Sequence, residues 1–82
     1  MTQEITDKIE EILADKDQPS MWTSQVNQLF RKYYGTNGME TFVKYFHEQG
    51  TCPYVSSDTK YRPYKIEQIR NAYKAAINEL NE

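Results

Sequence analysis

The chain has few of the residues from which catalytic and metal-binding sites are usually built. Among its 82 residues there are one cysteine, Cys52, one histidine, His47, and three glycines. A lone cysteine excludes an internal disulfide, and with a single histidine it is too little for a closed zinc site. The glycines lie near predicted helix ends, so no glycine-rich phosphate loop is present. We expect no enzyme, no cofactor, no metal and no small-molecule substrate.

Long hydrophobic runs are also missing. The mean hydropathy is −0.90, and no segment approaches the roughly 20 apolar residues of a membrane-spanning helix. The first residues lack the basic start and the apolar stretch of a signal peptide. We therefore expect a cytoplasmic protein without a membrane partner. The short length predicts one domain, 1–82.

Apolar residues recur at helical spacing in four segments, which predicts four amphipathic helices. The first runs from Thr2 to about Lys16. The second begins at Pro19 or Ser20 and ends at Tyr34, where Gly35 supplies a left-handed carboxyl-terminal cap. The third runs from about Gly38 to Gln49, after a cap at Asn37. The fourth runs from Pro63 to about Asn81.

One stripe of each predicted helix is expected to face the core. The expected inward residues are Ile5, Ile9, Ile12, Leu13, Trp22, Val26, Leu29, Phe30, Tyr33, Met39, Phe42, Val43, Phe46, Ile66, Ile69, Tyr73, Ala76, Ile77 and Leu80.

The segment 51–62 has no helical period. Two extended-prone stretches flank the turn-forming residues 56–59, which allows a short β-hairpin between the third and fourth helices. Pro53 and Pro63 would keep such a hairpin short, and an ordered loop is the alternative. The expected fold is an all-α, small four-helix domain with a helix-turn-helix-like central pair. This order of elements is similar to that of some winged-helix modules.

The charges are unevenly distributed, although the net charge is only −2. Residues 1–17 contain six carboxylates and two lysines, a net charge of −4. Residues 60–74 contain five cations and one glutamate, a net charge of +4. Arg70 and Lys74 are four residues apart on the fourth helix and repel each other unless an anion lies beside them. That anion is either Glu10 or Glu11 of the same chain or a phosphate of a partner.

The lead hypothesis is a non-catalytic module of a regulatory or accessory protein that binds nucleic acid. Cations meet phosphates while tyrosine rings stack on bases or ribose. The predicted nucleic-acid-binding residues are Lys60, Tyr61, Arg62, Tyr64, Lys65, Arg70 and Lys74. The polar face of the third helix, with Glu40 and Glu48 and no arginine, argues against sequence-specific reading of a major groove.

The alternative hypothesis is a protein–protein adaptor or a homodimer. Seven of the 82 residues are tyrosines, and five of these lie outside the predicted core stripes or in the loop. Tyrosine is enriched in binding hot spots because it offers a large contact area at a small entropic cost. The predicted interface residues are Tyr34, Tyr45, Tyr54, Tyr61 and Tyr64. Packing of these rings on a small core is the competing interpretation.

Overall fold

The computed structural model describes residues 2–82, which form three α-helices and no β-strand. Helix α1 comprises Thr2–Ala14, α2 comprises Trp22–Glu48 and α3 comprises Tyr61–Leu80. A short 3₁₀ helix, Pro19–Met21, leads into α2. None of these helices combines the length and the apolar character that crossing a membrane requires. Met1, the first residue of the predicted 1–82 domain, lies outside the described residues.

The prediction of four helices is wrong, because the predicted second and third helices form the single bent helix α2. Only Gly35 departs from helical geometry, with φ 77° and ψ −166°. Gly35 has the positive φ expected of a capping glycine, but helical residues follow it directly, so it lies inside α2 and not after its end. Asn37, the predicted cap, lies within α2, where its carbonyl accepts a hydrogen bond from Thr41 Oγ1 at 2.7 Å. The predicted helix-turn-helix-like pair of separate helices is corrected accordingly.

The bend folds the two halves of α2 against each other. The ring centroids of Phe30 and Phe42 are 5.1 Å apart, whereas twelve residues of a straight helix span about 18 Å. Phe42 also lies 5.9 Å from Phe46 in the second half. A row of aromatic rings therefore fills the inside of the bend.

The predicted β-hairpin is absent from the described residues, and with it the wing of a winged-helix module. The backbone of the 51–60 loop instead forms local turns. The Asp58 amide donates to the Val55 carbonyl at 2.9 Å, and the Tyr61 amide donates to the Asp58 carbonyl at 3.1 Å. These bonds join residues three apart, which is typical of turns. They are not the hydrogen bonds between two strands that a β-hairpin requires. Helix α3 then begins two residues before Pro63, which lies in the first turn, where an amide proton is not required.

Helix α1 ends at Ala14, two residues before the predicted end. The Asp15 amide donates to the Ile12 carbonyl at 3.1 Å, which tightens the last turn. The Asp15 carbonyl then accepts the indole N–H of Trp22 at 2.9 Å. This side-chain bond fixes the start of α2 beside the end of α1.

The hydrogen bonds also set the directions of the helices. Thr2 contacts Asn81 and Glu10 contacts Arg70, so α1 runs antiparallel to α3. Because α2 starts beside the end of α1, α2 and α3 both begin at the end of the molecule where α1 stops. The 51–60 loop leads into this same end.

The core lies between the three helices and largely matches the predicted stripes. Its buried hydrophobic residues are Ile5, Ile9, Leu13, Trp22, Val26, Phe30, Phe42, Ile69, Ala72, Tyr73, Ala76 and Ile77. Ile12, Leu29, Tyr33, Phe46, Ile66 and Leu80 pack against this cluster and remain half-buried. Gln68 is a buried polar residue that the stripes did not predict, and its amide donates to the Gly50 carbonyl at 2.5 Å.

Candidate interaction surface

Arg70, one of the predicted nucleic-acid-binding residues, is engaged within its own chain. Its Nε donates to Glu10 Oε2 at 3.0 Å, and its NH2 group donates to Glu10 Oε1 at 2.6 Å. The Tyr73 hydroxyl donates to the same carboxylate at 2.5 Å. Of the two internal anions considered, Glu10 and Glu11, it is Glu10 that makes the pair.

The electrostatics of Glu10 follow from these contacts. The Arg70 hydrogen bonds hold the pKa of Glu10 below its ordinary value, and burial opposes this effect. The Tyr73 hydrogen bond and the charge of Lys74 lower the pKa of Glu10 further. Lys74 lines a cleft between α1 and α3, with Thr2 and Thr6 of α1 on its other wall. Arg70 and Lys74 thus both face α1.

Lys60, Arg62 and Lys65 lie apart from this pair, around the first turn of α3. Within residues 2–82 the side-chain ion pairs are Lys44–Glu79 and Arg70–Glu10, so these three cations take part in none. The first turn of α3 contains no acidic residue, and the helix dipole adds positive potential there. The predicted seven-residue basic site is therefore divided into two places.

Aromatic rings position two of these cations. Lys60 Nζ lies 5.9 Å from the ring centroid of Tyr54, and Lys65 Nζ lies 5.0 Å from that of Phe46. The Tyr54 and Tyr64 rings meet edge to face at 5.7 Å. Asp58 accepts the Lys60 amide at 2.8 Å and so helps to fix the turn before α3.

The five predicted interface tyrosines do not form one surface. Tyr54, Tyr61 and Tyr64 lie at or just before the start of α3, and each is half-buried. Tyr34 donates from its hydroxyl to Asn81 at 3.3 Å, and Tyr45 donates to Glu79 at 2.6 Å. The Glu79 hydrogen bond raises the pKa of Tyr45, and burial raises it further. Tyr34 and Tyr45 pack against the core, as the competing interpretation expects.

Sequence reasoning missed the exposed aliphatic side chains. Val55 is 69% exposed and Met21 is 44% exposed, and both lie toward the end where α2 and α3 begin. Val55 is next to Tyr54 in the loop, and a single valine in a segment without periodicity gives no signal of its exposure. We name one surface the basic end. It consists of Tyr54, Val55, Lys60, Tyr61, Arg62, Tyr64 and Lys65.

No family model, curated protein or solved structure matches this chain.

Cys52 and His47 lie near the basic end and have different surroundings. The half-buried Cys52 thiol donates to the Tyr54 carbonyl at 3.6 Å. His47 is exposed, and its ring centroid is 6.4 Å from that of Phe46. The part of the chain that the structure describes contains no group of three or more potential metal-ligating side chains. The Cys52 contact helps to hold the loop from which Val55 projects.

Proposed function

We propose that this protein is a non-catalytic protein-interaction domain of a cytoplasmic regulatory or accessory protein. Its docking surface is the basic end, and its partner is a protein surface with carboxylates around an apolar contact. The observation that carries the proposal is the exposed Val55, 69% accessible, beside three cations without an ion pair in residues 2–82.

The mixture of side chains favours a protein over a nucleic acid. An exposed valine contributes nothing to a phosphate contact, whereas burying it in an interface is favourable by about 1.5–3 kcal/mol. Arginine and tyrosine are enriched in the centres of protein interfaces. Tyr54 and Tyr64 already pack against each other, which leaves them less free to stack on bases. The ring of Tyr54 is also close to Lys60.

The charges supply the complementarity to an acidic partner. The side chains of Lys60, Arg62 and Lys65 surround the amino terminus of a 20-residue helix. Two of them are held near aromatic rings, so less side-chain entropy is lost when they bind. Such charges increase the association rate and orient the partner.

Fluorescence anisotropy with matched peptides tests this proposal. One probe is a glutamate-rich peptide with a central leucine, and the other has serine in place of that leucine. The leucine peptide is expected to bind about tenfold more tightly, which corresponds to about 1.4 kcal/mol of apolar contact. Val55→Ser is expected to remove this preference. Equal binding of the two peptides by the unsubstituted protein would contradict the proposal.

Charge reversal supplies the second arm of the same experiment. The triple variant Lys60→Glu, Arg62→Glu and Lys65→Glu is expected to abolish binding of both peptides. The matched control reverses three exposed cations elsewhere, Lys16, Arg31 and Lys32, with the same change in net charge. The control is expected to keep the leucine preference, and far-UV circular dichroism checks that both variants are folded.

Nucleic-acid binding, the lead hypothesis from the sequence, is here the second candidate, and the same three cations support it. It involves three phosphate contacts, because Arg70 is paired with Glu10 and Lys74 lines the cleft beside α1, apart from the basic end. The affinity for duplex DNA would then decrease with salt with a log–log slope of about −2.7, and that for single strands with a slope of about −2.1. Val55→Ser would leave this binding unchanged. Binding of a mixed-sequence oligonucleotide with these slopes, together with no peptide binding, would favour the second candidate.

A further inference from the structure

The bend in α2 depends on a backbone conformation that only glycine adopts easily. Gly35 has φ 77° and ψ −166°, a region in which a Cβ atom would clash with the neighbouring backbone. No non-glycine residue in the described chain has a positive φ. The bent form of α2 therefore requires glycine at position 35.

Gly38, one turn later, supports the same bend for a different reason. A Cβ atom built on Gly38 would lie 2.9 Å from the Phe30 carbonyl oxygen and closer still to Tyr34 Cβ. Phe30 and Tyr34 lie on the other side of the bend, so this crowding comes from packing one half of α2 on the other. In a straight helix, residues eight apart are separated by about 12 Å along the axis, and the crowding with Phe30 disappears.

Glycine is at the same time a poor residue for a straight helix. Alanine has a higher helix propensity because it loses less backbone entropy. Substitution of alanine at position 35 or 38 therefore disfavours the bent form and favours the straight one. Both glycines therefore favour the bend over a straight α2.

A straight α2 cannot keep its contacts within one chain. Its 27 residues would span about 40 Å, whereas the longest extent of the whole molecule is 37 Å. Straightening separates Phe30 from Phe42, whose ring centroids are 5.1 Å apart in the bend. It also carries α3 away from α1 and breaks the Glu10–Arg70 pair. A second copy of the chain can offer the same partner residues, so the lost contacts can form between two chains.

We propose that Gly35 is the hinge of a domain-swapped dimer. In the dimer α2 is straight, and residues 36–82 of each chain pack on residues 2–34 of the other. Phe30 of one copy stacks on Phe42 of its partner, and Glu10 pairs with the partner's Arg70. Contacts between the two segments are rebuilt between the chains, and contacts within a segment, such as Tyr45–Glu79, stay in one chain. Only the bend at Gly35 is lost. Exchange of an identical element in this way needs little new surface.

The test compares three alanine variants by size-exclusion chromatography with light scattering over a concentration series. Gly35→Ala and Gly38→Ala are expected to elute as folded dimers at concentrations at which the unsubstituted protein is monomeric. Gly50→Ala is the matched control, since Gly50 also has a positive φ of 85° and open space around it, but follows the end of α2. The control is expected to remain monomeric and to lose stability only.

Isotope-filtered NMR then shows whether a dimer is swapped. In a dimer refolded from equal amounts of labelled and unlabelled Gly35→Ala chains, contacts between the Phe30 and Phe42 rings are expected between chains. Three results would overturn the proposal: monomers, folded or unfolded, for both Gly35→Ala and Gly38→Ala; equal dimerisation of Gly50→Ala; or Phe30–Phe42 contacts confined to single chains.

Discussion

The Arg70 guanidinium donates two hydrogen bonds, of 3.0 and 2.6 Å, to the Glu10 carboxylate and so links the middle of α3 to α1. This pair joins the acidic first segment of the chain to the basic last one. Arg70 and Lys74 repel each other on α3. The Glu10 carboxylate offsets this repulsion from within the same chain. Three further cations of the basic segment, Lys60, Arg62 and Lys65, lie at the start of α3 and take part in no ion pair within residues 2–82.

Replacing one member of this pair tests its contribution to stability. Glu10→Gln is expected to lower the free energy of unfolding at pH 7 by about 0.5 kcal/mol, because both side chains are more than a third exposed and solvent screens their attraction. The decrease should shrink in high salt. Urea unfolding measures it, and Glu11→Gln, an exposed carboxylate on the same helix, is expected to cause no such decrease.

The same pair predicts the direction of an acid effect. The folded-state pKa of Glu10 is lowered from 4.5, so its contribution to stability is present above that pH and is lost as the pH falls through the lowered value. The difference between the unsubstituted protein and Glu10→Gln should therefore vanish in acid. A difference that persisted at pH 2 would show that the contact acts by packing and not by charge.

The Tyr73 hydroxyl is expected to ionise at a higher pH than an ordinary tyrosine, because its pKa is raised. Burial raises the pKa of its hydroxyl to about 12, and the Glu10 hydrogen bond contributes to the increase. Because the folded-state pKa is raised, this group stabilises the fold below pH 10 and the contribution is lost as the pH rises toward 12. Ultraviolet difference titration measures this late ionisation, and Tyr73→Phe should remove it. An unchanged titration curve in Tyr73→Phe would contradict the assignment.

Trp22 is fully buried and donates its indole N–H to the Asp15 carbonyl at 2.9 Å. Trp22→Phe removes this bond and leaves a cavity, which is expected to cost about 2 kcal/mol of unfolding free energy. Thermal or urea denaturation followed by circular dichroism measures the loss. Met21→Ala, at a neighbouring side chain that is 44% exposed, should change stability by less than about 0.5 kcal/mol.

The aromatic row inside the bend predicts an order of mutational effects. Phe42 has no exposed surface and stacks on both Phe30 and Phe46, so Phe42→Ala is expected to cost about 3–5 kcal/mol. Phe46 is half-buried, and Phe46→Ala should cost clearly less. Equilibrium unfolding of the two variants gives the comparison. Equal losses would mean that the bend does not centre on Phe42.

The apolar stripes of the helices and the distribution of charge along the chain could be predicted from the sequence. Both depend only on the order of residues along the chain and not on what packs opposite them. A side chain at Ile5, Ile9 or Leu13 shares a helix face whatever lies opposite, so periodicity alone predicted that these residues are buried. The same holds for Ile69, Ala76 and Ile77 on the last helix. The concentration of acid at one end of the chain and of base toward the other is likewise a property of the sequence.

The number of helices, the division of the basic site and the exposure of the tyrosines were decided by tertiary structure. A glycine at position 35 predicts a break, but only packing of Phe30 on Phe42 determines that the break is a bend within one helix. The periodicity of a helix carries no information about a partner 60 residues away, so nothing in the pattern could choose Glu10 over Glu11 for Arg70. Contacts of that kind depend on how whole helices cross, and that is set by the shape of the entire core.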